Sequence, residues 1–158
     1  GMKIALSTNI DLPPDEVWRR VQTPELLMHI AAPLVRFHMV NPAHASNFGE
    51  QERFLVDLTL FGVLPFGKQW IVPTVHMDDA AIWPKKLRDN GYSALITTWD
   101  HWITVEPEGE RGTRYRDEVE VKAGLLTPFV WLFAQVFYRH RQRRWRALAR
   151  RISGRSRP

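Results

Sequence analysis

Residues 127–151 read TPFVWLFAQVFYRHRQRRWRALARR, and this stretch predicts one long helix. Thr127 suits the N-cap, and Pro128 suits the first position of the helix. At about 100° per residue, one stripe of the helix is largely apolar and consists of Phe129, Phe133, Val136, Phe137 and His140. The opposite face carries Trp131, Gln135 and Gln142. An apolar stripe of this length needs a large surface to cover it.

The chain before this helix supplies that surface as a series of β-strands. After one strand and two short helices, which begin near Pro13 and Pro24, six runs alternate between apolar and polar side chains. Residues 89–91 (Asp-Asn-Gly) predict a tight hairpin turn, while Pro73 and Pro84 indicate bulges or edge strands. The predicted strands cover residues 3–10, 34–40, 52–61, 68–75, 80–88, 92–106 and 113–122.

This order of elements predicts an α+β domain. Successive strands with short links pair as an antiparallel meander, and the long helix is the one element large enough to cover its apolar face. We therefore expect a helix-grip architecture, in which a curved antiparallel sheet of about seven strands wraps around the C-terminal helix and leaves an internal cavity. One domain is expected over residues 2–152, followed by a basic, disordered tail over residues 153–158.

The composition excludes several classes of site. The 158 residues are 44% hydrophobic and include no cysteine, which excludes disulfides, thiolate metal sites and a cysteine nucleophile. No phosphate loop, dinucleotide fingerprint or serine nucleophile elbow occurs, so no cofactor is expected. His76, Asp78 and Asp79 have metal-ligand side chains, but no second cluster accompanies them, and no metal is expected. Residues 123–138 are too few to cross a bilayer. With no signal peptide visible, a cytoplasmic protein is expected.

The last two predicted strands place polar residues on an otherwise apolar inner face. Tyr115 and Asp117 alternate with charged outward residues, and His101 alternates in the same way on the preceding strand. A turn at residues 107–112 then puts His101 beside or diagonal to Asp117. These three side chains can act as general acid and base on a carbonyl-bearing ligand. They can equally form a structural hydrogen-bonded group, with an arginine such as Arg141 neutralising Asp117.

Three segments carry a resemblance to a known family. They are residues 10–18 (IDLPPDEVW), residues 99–102 (WDHW) with residues 112–119 (GTRYRDEV), and residues 137–141 (FYRHR). Together they resemble the START-like, helix-grip superfamily, also called SRPBCC, and the third segment is similar to one of its bacterial branches. The superfamily includes polyketide cyclase/dehydrase-like proteins and birch-pollen-allergen-like carriers. The resemblance implies this fold over nearly the whole chain, with functions that range from lipid transfer and hormone binding to ring cyclisation and hydrolase activation.

Two functions follow from the predicted cavity. The first is binding of a hydrophobic small molecule (a lipid, a polyketide or an aromatic compound) as a carrier or sensor. The alternative is a cyclase- or dehydratase-like enzyme that acts on such a ligand through His101, Asp117 and Tyr115. The residues expected to contact the ligand are Trp70, Trp99, His101, Tyr115, Phe129, Phe133, Phe137 and His140. Plain core packing is the other reading of the aromatic residues in this set.

The positive charge is concentrated near the C-terminus. The net charge is +5, and residues 139–157 are rich in arginine and contain no acidic residue. A solvated helix end that complements the helix dipole is one account, and contact with an anionic membrane is another. Nucleic-acid binding is not expected, because no recognition module is present. The apolar turn at residues 61–66 can gate the cavity, contact a membrane or join two copies in a homodimer.

Overall fold

The fold is given by a computed structural model that describes residues 1–40, 53–77 and 82–156. Each short helix begins at a proline, and the hydroxyl of Thr23 caps the second one by accepting a 3.4 Å hydrogen bond from the Leu26 amide. In chain order the elements are β1 (Met2–Ile10), α1 (Pro14–Val21), α2 (Pro24–Ala31), β2 (Val35–Met39), β3 (Phe54–Leu60), β4 (Leu64–Ile71), β5 (Pro73–Met77), β6 (Lys85–Gly91), β7 (Thr98–Glu108), β8 (Gly112–Lys122), a short 3-10 turn (Gly124–Leu126) and α3 (Thr127–Ser156).

The strands form a curved antiparallel layer in two parts. Five strands pair in the order β1-β8-β7-β6-β5, and three pair in the order β2-β3-β4. An isolated bridge between Trp70 and Tyr92 joins β4 to the chain that follows β6. Helix α3 packs against β1, β8 and α2. The predicted α+β helix-grip architecture is confirmed, and the C-terminal helix covers the sheet as expected.

The predicted strand at residues 68–75 was wrong, because it is divided between two sheets. Strand β4 ends at Ile71 and β5 begins at Pro73. Between them, the Val72 amide donates a 2.8 Å hydrogen bond to the side-chain carboxylate of Asp89 in β6 and not to a backbone carbonyl. Proline lacks an N–H group, so the ladder of hydrogen bonds cannot continue through Pro73. This interruption gives eight strands in the described part of the chain, where about seven were expected.

The predicted hairpin turn at residues 89–91 was also wrong. These residues complete β6, where Asp89 pairs with His101 and Gly91 pairs with Trp99. Gly91 serves a close approach of two backbones, since a β-carbon there would lie 2.9 Å from the carbonyl oxygen of Trp70. The chain turns further on, and a 2.8 Å hydrogen bond from the Ser93 amide to the Ile96 carbonyl closes that turn.

The buried face of α3 differs from the predicted stripe by about one residue position. Phe129 and Val136, expected to face inward, are 68% and 62% exposed. Gln142, expected on the outer face, is buried. The buried stripe consists of Val130, Ala134, Phe137, Tyr138, Arg141, Gln142, Trp145 and Ala149. The helix continues to Ser156, into the segment predicted as a tail, and residues 157–158 lie outside the described part.

Candidate functional site

A cavity lies between the sheet, α2 and α3. Its wall is mostly aliphatic and aromatic, and includes Leu26, Ile30, Leu58, Leu87, Ile103 and Phe137. The volume of the cavity is about 90 Å³. Since a water molecule takes up roughly 30 Å³ in the liquid, the cavity has room for about three waters. It is therefore suited to a compact molecule that is largely apolar.

Polar side chains reach the same cavity from five elements. Gln69 comes from β4, Asp89 from β6, Trp99 and His101 from β7, Tyr115 from β8, and Tyr138 with Arg141 from α3. Two hydrogen-bonded groups hold several of them in place. In the first, the indole Nε1 atom of Trp99 donates a 2.7 Å hydrogen bond to the Tyr138 hydroxyl. The second group is centred on Asp117.

Asp117 is fully buried and accepts three hydrogen bonds. The β7–β8 register pairs Asp117 with Ile103 and His101 with Val119, so His101 and Asp117 stand on a diagonal. The His101 Nε2 atom lies 2.6 Å from Oδ1 of Asp117, as the sequence pattern led us to expect. The Tyr115 hydroxyl donates to the same oxygen over 3.2 Å, and Nε2 of Gln142 donates to Oδ2 over 2.9 Å. These bonds tie both strands to α3 at one carboxylate.

The protonation states of this pair follow from burial and from their contact. Burial lowers the pKa of His101, against the opposing effect of the Asp117 carboxylate. Burial by itself would raise the pKa of Asp117, but the hydrogen bond from His101 and the charge of Arg141 hold it below its usual range. An ionised Asp117 therefore accepts the Nε2 proton of a neutral His101. This tautomer leaves the Nδ1 atom of His101 as a hydrogen-bond acceptor.

Asp89 is a site residue that the sequence interpretation did not find. Burial raises its pKa to about 7, while the Val72 amide and the positive charge of Arg141 act in the opposite direction. Asp89 lines the cavity, and its raised pKa means that the wall of the cavity changes charge near neutral pH. Asp89 belongs to an Asp-Asn-Gly sequence, which is typical of a hairpin turn. The sequence therefore did not predict a strand residue that faces inward.

Arg141 carries the positive charge of the cavity wall. Its side chain is buried, and its Nε atom has no hydrogen-bond partner in the described part of the chain. Its Cζ atom lies 5.7 Å from the ring centroid of Phe137 and 5.1 Å from that of Tyr138. Burial opposes the charged form, but the nearby Tyr115, Tyr138 and Asp117 raise the pKa of Arg141 overall, so it remains charged. The sequence suggested it only as a neutralising partner of Asp117.

Five of the eight residues expected to contact a ligand line the cavity. They are Trp99, His101, Tyr115, Phe133 and Phe137. The two phenylalanine rings stack with their centroids 5.7 Å apart. Asp117 stands behind this wall and reaches the cavity through His101 and Tyr115.

The other three residues of that set lie elsewhere. Trp70 packs under the guanidinium of Arg53, whose Cζ atom is 4.0 Å from the ring centroid. Phe129 is exposed on the outer face of α3. His140 is half-buried on the far side of the helix, and its Nε2 atom lies 2.9 Å from the carbonyl oxygen of Ala32. Sequence periodicity cannot distinguish these packing positions from cavity positions.

The arginines of α3 do not form a simple solvated end. Arg141 is buried, Arg144 donates a 3.0 Å hydrogen bond to the carbonyl of His29, and Arg146 donates a 2.9 Å hydrogen bond to the hydroxyl of Thr8. Arg139 and Arg143 remain exposed. These contacts fasten the helix to α2 and β1, so only part of the basic segment faces solvent.

Two negative findings concern metals and membranes. The described residues contain no cluster of His, Asp and Glu suited to hold a metal ion. His76, Asp78 and Asp79 fall outside the described side chains. Among the helices of residues 1–40, 53–77 and 82–156, none is apolar enough over a sufficient length to cross a bilayer.

Comparison with known proteins identifies a family and a fold. A family model described as "Domain of unknown function (DUF8410)" matches residues 8–151. No curated protein matches the chain.

Similar solved structures come from distant relatives. TTHA0849 from Thermus thermophilus is 18% identical with a TM-score of 0.66, and the match covers 96% of this chain and 99% of that chain. A START superfamily protein from Mycobacterium smegmatis is 12% identical with a TM-score of 0.62, over 96% and 99% of the two chains. Ara h 8.0201 is 10% identical with a TM-score of 0.58, over 94% and 97%. These similarities show the START-like fold that the sequence led us to expect.

Proposed function

The chain belongs to the DUF8410 family, and from its cavity we propose that it binds a compact hydrophobic molecule as a carrier or sensor. One observation carries this proposal: an apolar cavity lies between the sheet and α3, with a small number of polar groups in its wall. We also propose residues 2–152 as one domain, since β1 pairs with β8 and packs against α3.

The size of the cavity supports a binding role over plain core packing. Protein cores are close-packed, with few voids larger than a water molecule. A ligand would fill this space and gain contact with its apolar wall. The volume fits a compact molecule better than a two-chain lipid.

The first test fills the cavity from its wall. Leu58 lines the cavity from β3, and Leu132 lies 55% exposed on the outer face of α3. We expect Leu58→Trp to abolish the fluorescence shift of the small neutral probe 1-naphthylamine, and Leu132→Trp to leave it as in the wild type. Near-ultraviolet circular dichroism checks that both variants are folded. Absence of any probe binding to the wild type, together with no co-purified molecule in native mass spectrometry, would contradict the proposal.

A second candidate function is acid–base chemistry of the cyclase or dehydratase type. The observation that favours it is the pair of His101 and Asp117, in which a neutral imidazole is held by a carboxylate beside the cavity. His101 would act as the base, Asp117 would orient it, and Tyr115 would contribute its hydroxyl. The same pair serves as a structural connection if no reaction occurs.

Proton abstraction next to a carbonyl is the simplest reaction of this type to measure. In D₂O, a general base at His101 would accelerate deuterium exchange of the methyl protons of 2-acetylnaphthalene, which NMR follows directly. We expect His101→Ala to lose this acceleration and His140→Ala, outside the cavity, to keep it. If the wild type gives no acceleration, or if His101→Ala only lowers the melting temperature, the enzymatic candidate is rejected.

We further propose that an exposed surface next to the cavity contacts anionic membranes. The turn after β3 exposes Phe61 and Val63, and the outer face of α3 exposes Val136. Phe61 and Val136 share a surface groove with Arg139 and Arg143. Apolar side chains beside exposed arginines suit the boundary of an anionic bilayer.

Vesicle co-sedimentation tests this contact. We expect the protein to bind vesicles that contain a third phosphatidylserine and not pure phosphatidylcholine vesicles, with binding that weakens as salt rises. Val63→Asp should reduce it strongly. A stable dimer in analytical ultracentrifugation that Val63→Asp dissociates would instead assign the surface to a second copy of the chain.

A further inference from the structure

Two side chains on the polar wall of the cavity carry hydrogen-bond donors that have no acceptor in the described part of the chain. The guanidinium of Arg141 has five N–H donors in a planar fork. It interacts with the Tyr115 hydroxyl, but its Nε atom has no partner among the described residues. The Tyr138 hydroxyl accepts a hydrogen bond from Trp99, and its own proton has no acceptor in the described part of the chain. Both side chains line the cavity.

The two nearby carboxylates do not accept hydrogen bonds from these donors. Asp117 already accepts hydrogen bonds from His101, Tyr115 and Gln142, which nearly fill its acceptor positions. Asp89 binds the Val72 amide through Oδ1. Arg141 is therefore attracted to Asp117 through space without a direct hydrogen bond to it. A buried guanidinium with unused donors is costly unless an acceptor reaches it.

The charged groups around Arg141 leave its Nε donor without a hydrogen-bond partner in the described part of the chain. Asp117 attracts Arg141 but accepts its hydrogen bonds from other side chains, and His101 is neutral. Asp100, on the same strand as His101, is engaged in a bidentate ion pair with Arg88, at 2.8 Å for both contacts. Asp89 is the remaining carboxyl group, and below neutral pH it is protonated. The protonated form can itself donate a hydrogen bond into the cavity.

We infer that the cavity binds a compact apolar carboxylic acid as its anion, with the carboxylate at Arg141 and the apolar part against Phe137 and Ile103. This inference rests on the proposed ligand-binding function and specifies the class of ligand. An arginine fork and a carboxylate match in geometry, and charge-assisted hydrogen bonds are stronger than neutral ones. The faces of Phe137 and Tyr138 support the guanidinium on the other side.

Two ligands of nearly the same shape but different charge test whether the charge of the ligand determines its affinity. 2-Naphthoic acid and 2-acetylnaphthalene have the same number of non-hydrogen atoms, and only the first is an anion at neutral pH. Isothermal titration calorimetry at pH 6.5 gives both dissociation constants. We expect the wild type to bind naphthoate at least about tenfold more tightly than the ketone. Arg141→Met, which keeps an unbranched apolar side chain without the guanidinium charge, should bring this ratio close to one.

A second variant keeps the test decisive if Arg141→Met fails to fold. Asp89 is the titrating neighbour of Arg141, and its ionisation places a negative charge near the expected carboxylate. The preference of the wild type for naphthoate should therefore fall between pH 6 and pH 8.5. Asp89→Asn retains an oxygen for the Val72 amide and removes the charge, so it should preserve the preference at pH 8.5.

Each outcome has a definite meaning. If neither ligand binds the wild type, the proposed function itself fails. If the ketone binds as tightly as naphthoate, the ligand-binding function stands and the inference of an anion is overturned. The inference is equally overturned if folded Arg141→Met retains the preference, or if the preference of the wild type is independent of pH and unaffected by Asp89→Asn.

Discussion

Trp99 on β7 and Tyr138 on α3 are joined by a 2.7 Å hydrogen bond from the indole Nε1 atom to the phenol oxygen, so the sheet and the helix meet at a polar contact inside an apolar wall. The rings lie 6.2 Å apart between centroids. Each residue also borders the cavity. The bond therefore sets the distance between the two main layers at the place where a ligand would bind.

Tyr138→Phe should lower the free energy of unfolding by about 1–3 kcal/mol, because the buried Trp99 indole loses its acceptor. Urea denaturation measures the change. Tyr92→Phe is the matched control, since the Tyr92 hydroxyl accepts its bond from Arg53 at the surface. A loss for Tyr138→Phe no larger than for Tyr92→Phe would show that the contact contributes nothing to stability.

Gln142→Leu should destabilise the protein by about 2–4 kcal/mol, because it removes a donor from the buried Asp117 carboxylate. It also removes the 3.0 Å bond from Gln142 to the Leu6 carbonyl. Gln135→Leu, on the same helix, changes a surface contact with Arg139 and serves as the control. Thermal unfolding of both variants at pH 7 compares them, and equal melting temperatures would contradict this role of Gln142.

Asp89→Asn should make stability less dependent on pH. The folded pKa of Asp89 is about 7, well above its unfolded value of 3.8. Its contribution to stability is thus full below pH 4 and is lost as the pH rises towards 7, by up to roughly 4 kcal/mol. Asp89→Asn cannot ionise at this position. Its free energy of unfolding, measured by urea titration, should therefore rise relative to that of the wild type as the pH increases from 4 to 7. Asp57→Asn, at an exposed ion pair with Lys68, should show no such gain.

Gly91→Ala should destabilise by about 1–3 kcal/mol, because the new β-carbon would lie 2.9 Å from the Trp70 carbonyl oxygen and force two backbones apart. Gly154→Ala is the control: it meets open space in α3, where alanine favours the helix by up to about 1 kcal/mol. Chemical denaturation of both tests the contrast. A neutral Gly91→Ala would show that the approach of β4 and β6 is not close in solution.

The fold could be predicted because its signals are redundant. Alternating side chains, short links and one long helix allow few arrangements. The contact of His101 with Asp117 followed from the same alternation, since a turn near residues 107–112 fixes which side chains face each other. The strand register and the alternation of side chains were enough to predict this contact, because β7 and β8 pair regularly over their whole length.

The rest of the site depended on tertiary contacts. The apolar pattern of α3 pointed to Phe129 and Val136, which the fold leaves exposed, while Arg141 and Gln142 are buried because Asp117 and its neighbours receive them. A periodicity argument counts such polar residues as outward-facing. Asp89 was not predicted as a site residue for a different reason. Its local sequence also suits a turn, and its hydrogen bond to the Val72 amide depends on a contact that is distant in sequence.

That bond between the Val72 amide and Asp89 gives the protein a built-in reporter. The amide lies at the seam between the two sheets, and its acceptor is a carboxylate that also faces the cavity. Protonation weakens the acceptor, so the rate at which this one amide exchanges its proton for solvent deuterium follows the charge state of Asp89. Any occupant of the cavity that shifts this charge changes the exchange at Val72, a position that the occupant need not touch. Occupancy can thus be read at the backbone without a label on the ligand.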